Sequence, residues 1–127
     1  MRRTILLILA ATSACATVPP APVFPSQGPF GPEQSFTGVL ALGFEHQSFD
    51  GCWLSFKDSA VSDLARLAPS PALTDQTASY IADVTLVGRR RDVLDATDGN
   101  LGEAGFGHLG MYSCLVEAAR ITAARAR

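Results

Sequence analysis

The sequence has little positive charge and no apolar stretch long enough to span a bilayer. It contains a single lysine, Lys57, and its formal net charge is −2. Since general nucleic-acid binding requires a basic surface, we expect no nucleic-acid partner. The one candidate membrane segment covers residues 5–14 and has about ten residues, whereas a spanning helix needs about 20. We therefore expect no permanent transmembrane helix.

The sequence also lacks the spacings that carry common catalytic and metal-binding chemistry. It has no HxxxH or CxxC pair for a metal, no GxSxG nucleophile elbow and no GxxxxGK[ST] phosphate loop. From these missing motifs we expect no catalytic residue, no metal and no cofactor.

The N-terminal segment has the composition of a secretory signal. Arg2 and Arg3 precede the apolar run, which ends in small residues. Residues 14–16, ACA, satisfy the small-x-small rule of an ordinary signal peptidase, which would cut after the second alanine. Residues 12–15, TSAC, also resemble the lipobox of bacterial lipoproteins, with Thr12 where that family usually has Leu.

The lipoprotein resemblance implies that residues 1–14 are a signal peptide and that Cys15 receives a lipid and becomes the first residue of the mature protein. The short signal is typical of that family, since ordinary signals usually have about 15–30 residues. Ala16 after the cysteine implies sorting to the outer membrane, with the domain facing the periplasm. The partner is then a lipid bilayer, held through the N-terminal lipid. Simple secretion as a free periplasmic protein is the alternative.

The three cysteines are an odd number, which calls for an explanation in an exported protein. If Cys15 carries a lipid, Cys52 and Cys114 are left to pair in an oxidising compartment. Their closed loop of about 60 residues would contribute roughly 4 kcal/mol in the chain-entropy model. Loss of Cys15 with the signal leaves the same pair, so the count does not separate the two cleavages. Two buried free thiols are the alternative.

Residues 15–35 are expected to form a lipidated cysteine followed by a tether. Six of the eight prolines lie in residues 16–35. Proline fixes its own backbone and disfavours helix at the preceding residue, so such a stretch is extended. The folded domain is predicted to cover residues 36–127.

The domain is predicted to begin with a hairpin and a helix. Residues 36–49 are rich in strand formers, Asp50-Gly51 is a hairpin turn signal, and residues 52–56 form the return strand. A two-residue loop would place Phe49 opposite Cys52, a register that does not sort apolar from polar residues, so we expect a bulge or a longer loop. A short helix over residues 57–69 follows. Asp58 or Ser59 is expected to cap the start of this helix. Its apolar face is expected to consist of Val61, Leu64, Ala65 and Ala68.

The second half is predicted to contain two strands separated by a glycine-rich loop. Residues 79–88 alternate, with Tyr80, Ala82, Val84 and Leu86 facing the core. Residues 95–110 form the loop, and residues 111–118 form the last strand. The tail after residue 118 fits either a helix or a continued strand. The expected fold is therefore mainly β with one short helix (α+β), as a small OB-like barrel or a sandwich.

Two stretches, GFEHQSFDGC (43–52) and GFGHLGMY (105–112), resemble small uncharacterised exported bacterial proteins. The resemblance covers about a quarter of the domain and brings no known activity with it.

The candidate ligand-binding residues lie in an arginine cluster and in the glycine-rich loop. Arg89, Arg90 and Arg91 follow Gly88 at the predicted strand end, where a solvated turn is the ordinary interpretation. Their guanidinium groups could instead bind a phosphate of a headgroup or glycan. In the loop, Phe106 and His108 are the side chains able to stack or hydrogen-bond. A mobile loop without a ligand is the alternative.

Together these observations predict a membrane-anchored bacterial lipoprotein with a small β-rich binding or envelope-structural module and not an enzyme. Two other functions stay open. One is a small exported hydrolase that uses His108. The other is a periplasmic copper- or zinc-binding protein that uses His46 and His108, with Glu45, Asp50 or Met111, since imidazole suits both metals.

Overall fold

The computed structural model describes residues 19–96 and 99–127. The predicted signal peptide and the predicted lipidation site, Cys15, lie outside the described residues. The structure contains six strands and one α-helix: β1 Ser26–Gln27, β2 Gln34–Gly43, β3 His46–Phe49, β4 Cys52–Phe56, α1 Asp58–Leu67, β5 Tyr80–Leu94 and β6 Cys114–Ala126. Three short 3₁₀ turns cover Pro71–Leu73, Gly102–Ala104 and His108–Gly110.

The described strands belong to one mixed sheet in the order β1-β5-β2-β3-β4-β6. Because β5 also pairs with β6, the order β5-β2-β3-β4-β6 returns to its first strand. The pairing of β4 with β6 is parallel and the other pairings are antiparallel. A mainly β fold with one helix is thus confirmed. The described strands form one sheet and not the two sheets of a sandwich.

The core lies between the strands and α1, and the alternation of β5 shows how the sequence fills it. The buried side chains of β5 are the four that the pattern predicts. In β6 the buried residues alternate through Cys114, Val116 and Ala118, and the next buried residue is Ile121. The largest fully buried side chains come from four different strands, which places them in one cluster: Leu40, Leu54, Leu86, Val116 and Ile121.

The predicted first strand is two strands, because the chain turns at Phe44 and Glu45 between β2 and β3. The next turn, Asp50-Gly51, is a two-residue loop in which both residues have positive φ, 45° and 81°, as a type I′ hairpin requires. The expected bulge or longer loop at this turn is wrong, since Phe49 lies opposite Cys52. This register does not separate polar and apolar residues onto opposite faces of the hairpin, because both faces of β3 are covered, as the buried Ser48 and Phe49 show.

The predicted helix is present as α1, but its cap and its buried face differ from the prediction. Lys57 occupies the N-cap without a side-chain bond, and the Ser59 hydroxyl instead donates to the Ala119 carbonyl. The helix buries Asp63 beside Leu64, while Val61 stays largely exposed. The buried face of α1 is rotated relative to the prediction because the Asp63 carboxylate accepts hydrogen bonds from β6. The spacing of apolar residues along the helix gives no sign of such a polar contact.

β5 continues through the arginine cluster instead of ending at Gly88. Gly88 marks a close approach, since a Cβ there would overlap the Glu117 carbonyl oxygen of β6. The pairing of β5 with β6 shifts register just before this glycine. The prediction of a turn at Arg89–Arg91 is therefore wrong, and the tail after residue 118 is a strand as far as Ala126.

The folded structure also begins earlier than the predicted residue 36. Ser26 and Gln27 pair with Leu94 and Val93 at the far end of β5. The Gly28 and Gly31 amides donate to β5 carbonyls, at 2.8 Å each. Residues 26–35 of the predicted tether therefore lie against the domain.

Candidate functional site

The turn at Phe44 and Glu45 lies between two hollows in the surface. On one side is an apolar groove of about 660 Å³, and on the other is a smaller pocket of about 490 Å³. Glu45 and His46 contribute to both. We call the first the apolar groove and the second the histidine pocket.

The apolar groove is built where α1 faces the tips of β2, β3 and β4. Val61, Leu64 and Ala65 lie at helical spacing and form one wall, so the exposure of Val61 is exposure to this groove. The opposite wall and the floor come from the strands and the 3₁₀ turn: Leu42, Phe44, Trp53, Phe56, Ala72 and Leu73. The volume lies within the range of pockets that hold small molecules.

The polar groups of the groove are acidic or neutral. Glu45 and Asp75 are its carboxylates, with His46, Gln47, Thr74 and Gln76 among the remaining lining residues. Hydrogen bonds from the Thr77 hydroxyl and backbone amide hold the pKa of Asp75 below its usual range, so it is ionised at neutral pH. Within the described part of the chain, the lining residues include no Lys or Arg.

The histidine pocket brings together residues that are far apart in the sequence. The Tyr112 hydroxyl lies 2.9 Å from His46 Nδ1, and the Ser48 hydroxyl lies 2.9 Å from His46 Nε2. Both ring nitrogens of His46 therefore have hydroxyl partners. These contacts fix the orientation of the ring across the outer face of β3.

The second histidine, His108, reaches the same pocket from the glycine-rich loop. Its Nε2 lies 3.3 Å from Glu45 Oε2, and Met111 stands beside it in the lining. Asp50 is held elsewhere, because its carboxylate accepts the Val39 amide at 2.7 Å. In residues 19–96 and 99–127 the structure places no three His, Cys, Asp or Glu side chains together as a group that could hold a metal ion.

The glycine-rich loop packs on the sheet and orients its two predicted site residues differently. Phe106 is only 6 % exposed and pairs its backbone with Tyr112, so its ring is unavailable for stacking on a ligand. Gly107 lies directly on the Trp53 ring, with φ of 73°. Of these two predicted residues, His108 is the one that remains accessible, at the rim of the histidine pocket.

The arginine cluster lies outside both hollows, and its side chains have partners within the chain. Arg89 Nη2 donates to Glu117 at 2.8 Å, which holds the pKa of that carboxyl below its usual range. Arg90 donates to Asp92 at 2.9 Å, and Arg91 donates to the Gly28 carbonyl at 2.8 Å. Arg91 also lies over the ring of Phe106, another predicted site residue, with its guanidinium carbon 5.8 Å from the ring centre.

The cysteine pair is joined as a disulfide, Cys52–Cys114, which confirms the predicted bond. It links the start of β4 to the start of β6, beside the Asp50-Gly51 turn. The bond therefore holds the sheet together at the end away from the apolar groove.

Sequence reasoning missed most of the groove. Val61 and Leu64 were assigned to a core-facing helix, and the pattern gave no sign that Leu73 would face them. Phe44 carried the one available signal, because an exposed aromatic beside Gly43 interrupts the strand alternation.

Comparison with known proteins finds no matching family model, no matching curated protein and no matching solved structure. In the described part of the chain, no helix is both long and apolar enough to cross a membrane. The functional argument therefore depends on the geometry of the groove and the pocket.

Proposed function

We propose that the protein is an exported bacterial lipoprotein, anchored through Cys15, whose β domain binds a small cationic amphipathic molecule in the apolar groove. The Cys52–Cys114 disulfide supports export, because disulfides persist in oxidising compartments and are rare in the cytosol. It uses two of the three cysteines and leaves Cys15 for the lipid. By the lipoprotein resemblance, Ala16 favours the outer membrane with the domain facing the periplasm.

One observation carries the choice of ligand: the apolar groove has two carboxylates, Glu45 and Asp75, and no Lys or Arg among its described lining residues. An apolar chain bound along Leu42, Leu64 and Leu73 would remove hydrophobic surface from water. A carboxylate or phosphate head would meet Glu45 and Asp75, and repulsion between like charges opposes that arrangement. An ammonium head is instead attracted by the carboxylate beside which it lies.

The aromatic residues of the groove favour the same charge. Phe44 and Trp53 are among the lining residues, and an aromatic ring attracts a cation to its face through its quadrupole. Gln47 is held in place, because its side-chain amide donates to the Leu54 carbonyl.

The first test is a fluorescence titration with two amphiphiles of equal chain length. Trp53 is the only tryptophan and lines the groove, so a bound ligand changes its emission. Dodecylammonium and dodecanoate are titrated below their critical micelle concentrations. We expect dodecylammonium to bind at least about tenfold more tightly, which corresponds to about 1.4 kcal/mol.

A pair of variants separates binding in the groove from nonspecific adsorption. Val61→Asn places a polar group on the groove wall, and Ile81→Asn makes a matched change at an exposed position on β5 outside both hollows. We expect weaker binding only for Val61→Asn. Equal affinity for the two amphiphiles, or equal loss in the two variants, contradicts the proposed ligand class.

The anchor is tested by the intact mass of the protein extracted from native bacterial membranes. A mass of residues 15–127 plus acyl chains supports the anchor. A mass of residues 17–127 without a lipid contradicts it and leaves a free periplasmic binding protein.

A further inference from the structure

The segment that leads from the anchor to the domain is attached to β5 along several residues. Ser26 pairs with Leu94, and the Gly28 amide donates to the Asp92 carbonyl. The Gly31 amide then donates to the Arg90 carbonyl. These contacts continue the sheet along the outer edge of β5.

Side chains reinforce this attachment. The guanidinium carbons of Arg89 and Arg91 lie 4.4 Å and 4.9 Å from the centre of the Phe30 ring. Arg91 also donates to the Gly28 carbonyl at 2.8 Å. Gly28 itself is tightly enclosed, since a Cβ there would lie 2.9 Å from the Asp92 carbonyl oxygen. Two of the three arginines predicted to bind an anion, Arg89 and Arg91, thus contact the linking segment.

The attached segment ends in an exposed apolar patch, formed by Val23, Phe24 and Leu94. Val23 is 67 % exposed, Phe24 74 % and Leu94 45 %. Leu94 is the pairing partner of Ser26, two residues after Phe24, so the three residues lie at the same end of β5. The nearby Arg90 and Asp92 pair with each other at 2.9 Å, and the exposed Asp95 follows Leu94 at the rim of the patch.

The attachment shortens the free part of the linker. From Cys15 to Phe36, the predicted start of the domain, there are 21 residues, which could extend about 75 Å. From Cys15 to Val23 there are eight residues, which span at most about 29 Å. A lipid on Cys15 therefore keeps the patch within about 29 Å of the membrane anchor.

We propose that the Val23–Phe24–Leu94 patch rests on the bilayer, so that the domain is seated on the membrane surface rather than suspended on a long tether. This inference requires the lipid on Cys15 that is part of the proposed function. An exposed aromatic and two aliphatic side chains are suited to the boundary between headgroups and acyl chains. The occupant of the patch is the lipid surface itself.

The test measures how closely single positions approach the lipid. Phe24→Trp places a reporter in the patch, and Phe44→Trp places a matched reporter on an exposed phenylalanine near the start of β5. Leu42 pairs with Tyr80 at that start, roughly 45 Å of strand away from Leu94. The full-length lipidated proteins are reconstituted in phosphatidylcholine vesicles with and without brominated acyl chains, and the wild-type Trp53 signal is subtracted.

We expect brominated lipid to quench Phe24→Trp at least about twofold more than Phe44→Trp. Equal quenching of the two reporters in lipidated protein overturns the proposal that the patch rests on the bilayer. It leaves the proposed lipid on Cys15 unaffected. Protein that lacks acyl chains by intact mass contradicts the anchor and, with it, the seating. A third variant, Phe24→Asp, tests the same proposal without a tryptophan in the patch. It should remain lipidated, but residues 19–25 should become more accessible to protease.

Discussion

At the residue scale, Gly107 shows how closely the glycine-rich loop follows the sheet. Its backbone, with φ of 73° and ψ of −161°, lies in a region that only glycine adopts readily. A Cβ at this position would also clash with the Trp53 ring. The position therefore couples the loop to the only tryptophan of the protein.

We predict that Gly107→Ala costs about 3 kcal/mol of unfolding free energy, as backbone strain and overpacking add. Urea unfolding measures the loss, and the Trp53 emission maximum of the native protein should shift. Gly102→Ala is the control, since Gly102 has φ of 55° but nothing within 4 Å of an added Cβ. It should cost about 1 kcal/mol and leave the emission unchanged. A similar spectrum in both variants would show that the loop does not press on Trp53.

Asp63 is the buried carboxylate of the domain. It accepts hydrogen bonds from Arg120 Nε at 2.7 Å and from the Ile121 amide at 3.0 Å. The Arg120 hydrogen bond is the main reason why the pKa of Asp63 lies well below its usual range, and Arg66 lowers it further. These contacts attach α1 to β6.

A lowered folded-state pKa means that the stabilisation is fully present above the unfolded-state pKa of about 3.9 and is lost as the pH falls below it. We predict that Asp63→Asn is less stable than wild type at pH 7 and that the difference shrinks at about pH 2.5. Urea unfolding at the two pH values measures this. The exposed Asp58, in the first turn of the same helix, supplies Asp58→Asn as a control with little effect at either pH. A constant Asp63→Asn deficit at both pH values would refute the linkage.

At the element scale, a strand could be predicted where the alternation of its own residues was sufficient to identify it. β5 was recognised over residues 79–88 because its buried side chains alternate there. Its continuation was missed because the partners of the arginines, Glu117 and the Gly28 carbonyl, lie far away in sequence. Likewise, α1 was recognised from its spacing, but the orientation of its buried face depends on Arg120 in β6.

The same reasoning explains what was predictable of the candidate site. His108 was named from the sequence and does stand at the rim of a pocket. The apolar groove was not named, because Val61, Leu73 and Phe44 meet only after the sheet and helix have packed. Tertiary contacts of this kind leave no local periodic pattern.

The attachment of residues 26–31 to β5 gives a prediction at the element scale. Phe30→Ala removes the ring between Arg89 and Arg91, and each such contact contributes about 0.5–1 kcal/mol at exposed sites. We predict faster hydrogen exchange at the Gly28 and Gly31 amides, which donate to β5, with little change in global stability.

Phe24→Ala is the matched control for this experiment, because it removes an exposed ring from the same segment. It should leave exchange at both glycine amides unchanged. Unchanged exchange in Phe30→Ala as well would mean that the arginine contacts do not hold the segment.

At the scale of the whole molecule, the ring of strand pairings joins residues far apart in the chain, and the disulfide reinforces it. Cys52 and Cys114 are separated by 62 residues. Both are buried, and their strands β4 and β6 pair in parallel. A cross-link over such a long loop chiefly restricts the unfolded chain.

We predict that the double variant Cys52→Ala and Cys114→Ala loses about 4 kcal/mol of unfolding free energy, the chain-entropy value for a loop of this length. Denaturant unfolding of wild type with and without reductant provides the comparison, and reduced wild type should match the double variant. A loss below about 1 kcal/mol would mean that the strand pairings alone determine the stability.

The central functional claim is that the apolar groove, and not the arginine cluster, is the binding site. The most direct measurement is a map of backbone amide NMR shifts on adding dodecylammonium to the ¹⁵N-labelled protein. We predict that the perturbed amides cluster in α1, at Phe44 and Glu45, and in residues 72–78, while those of Arg89–Arg91 remain unchanged. Perturbations centred on Arg89–Arg91, or spread evenly over the surface, would contradict the account.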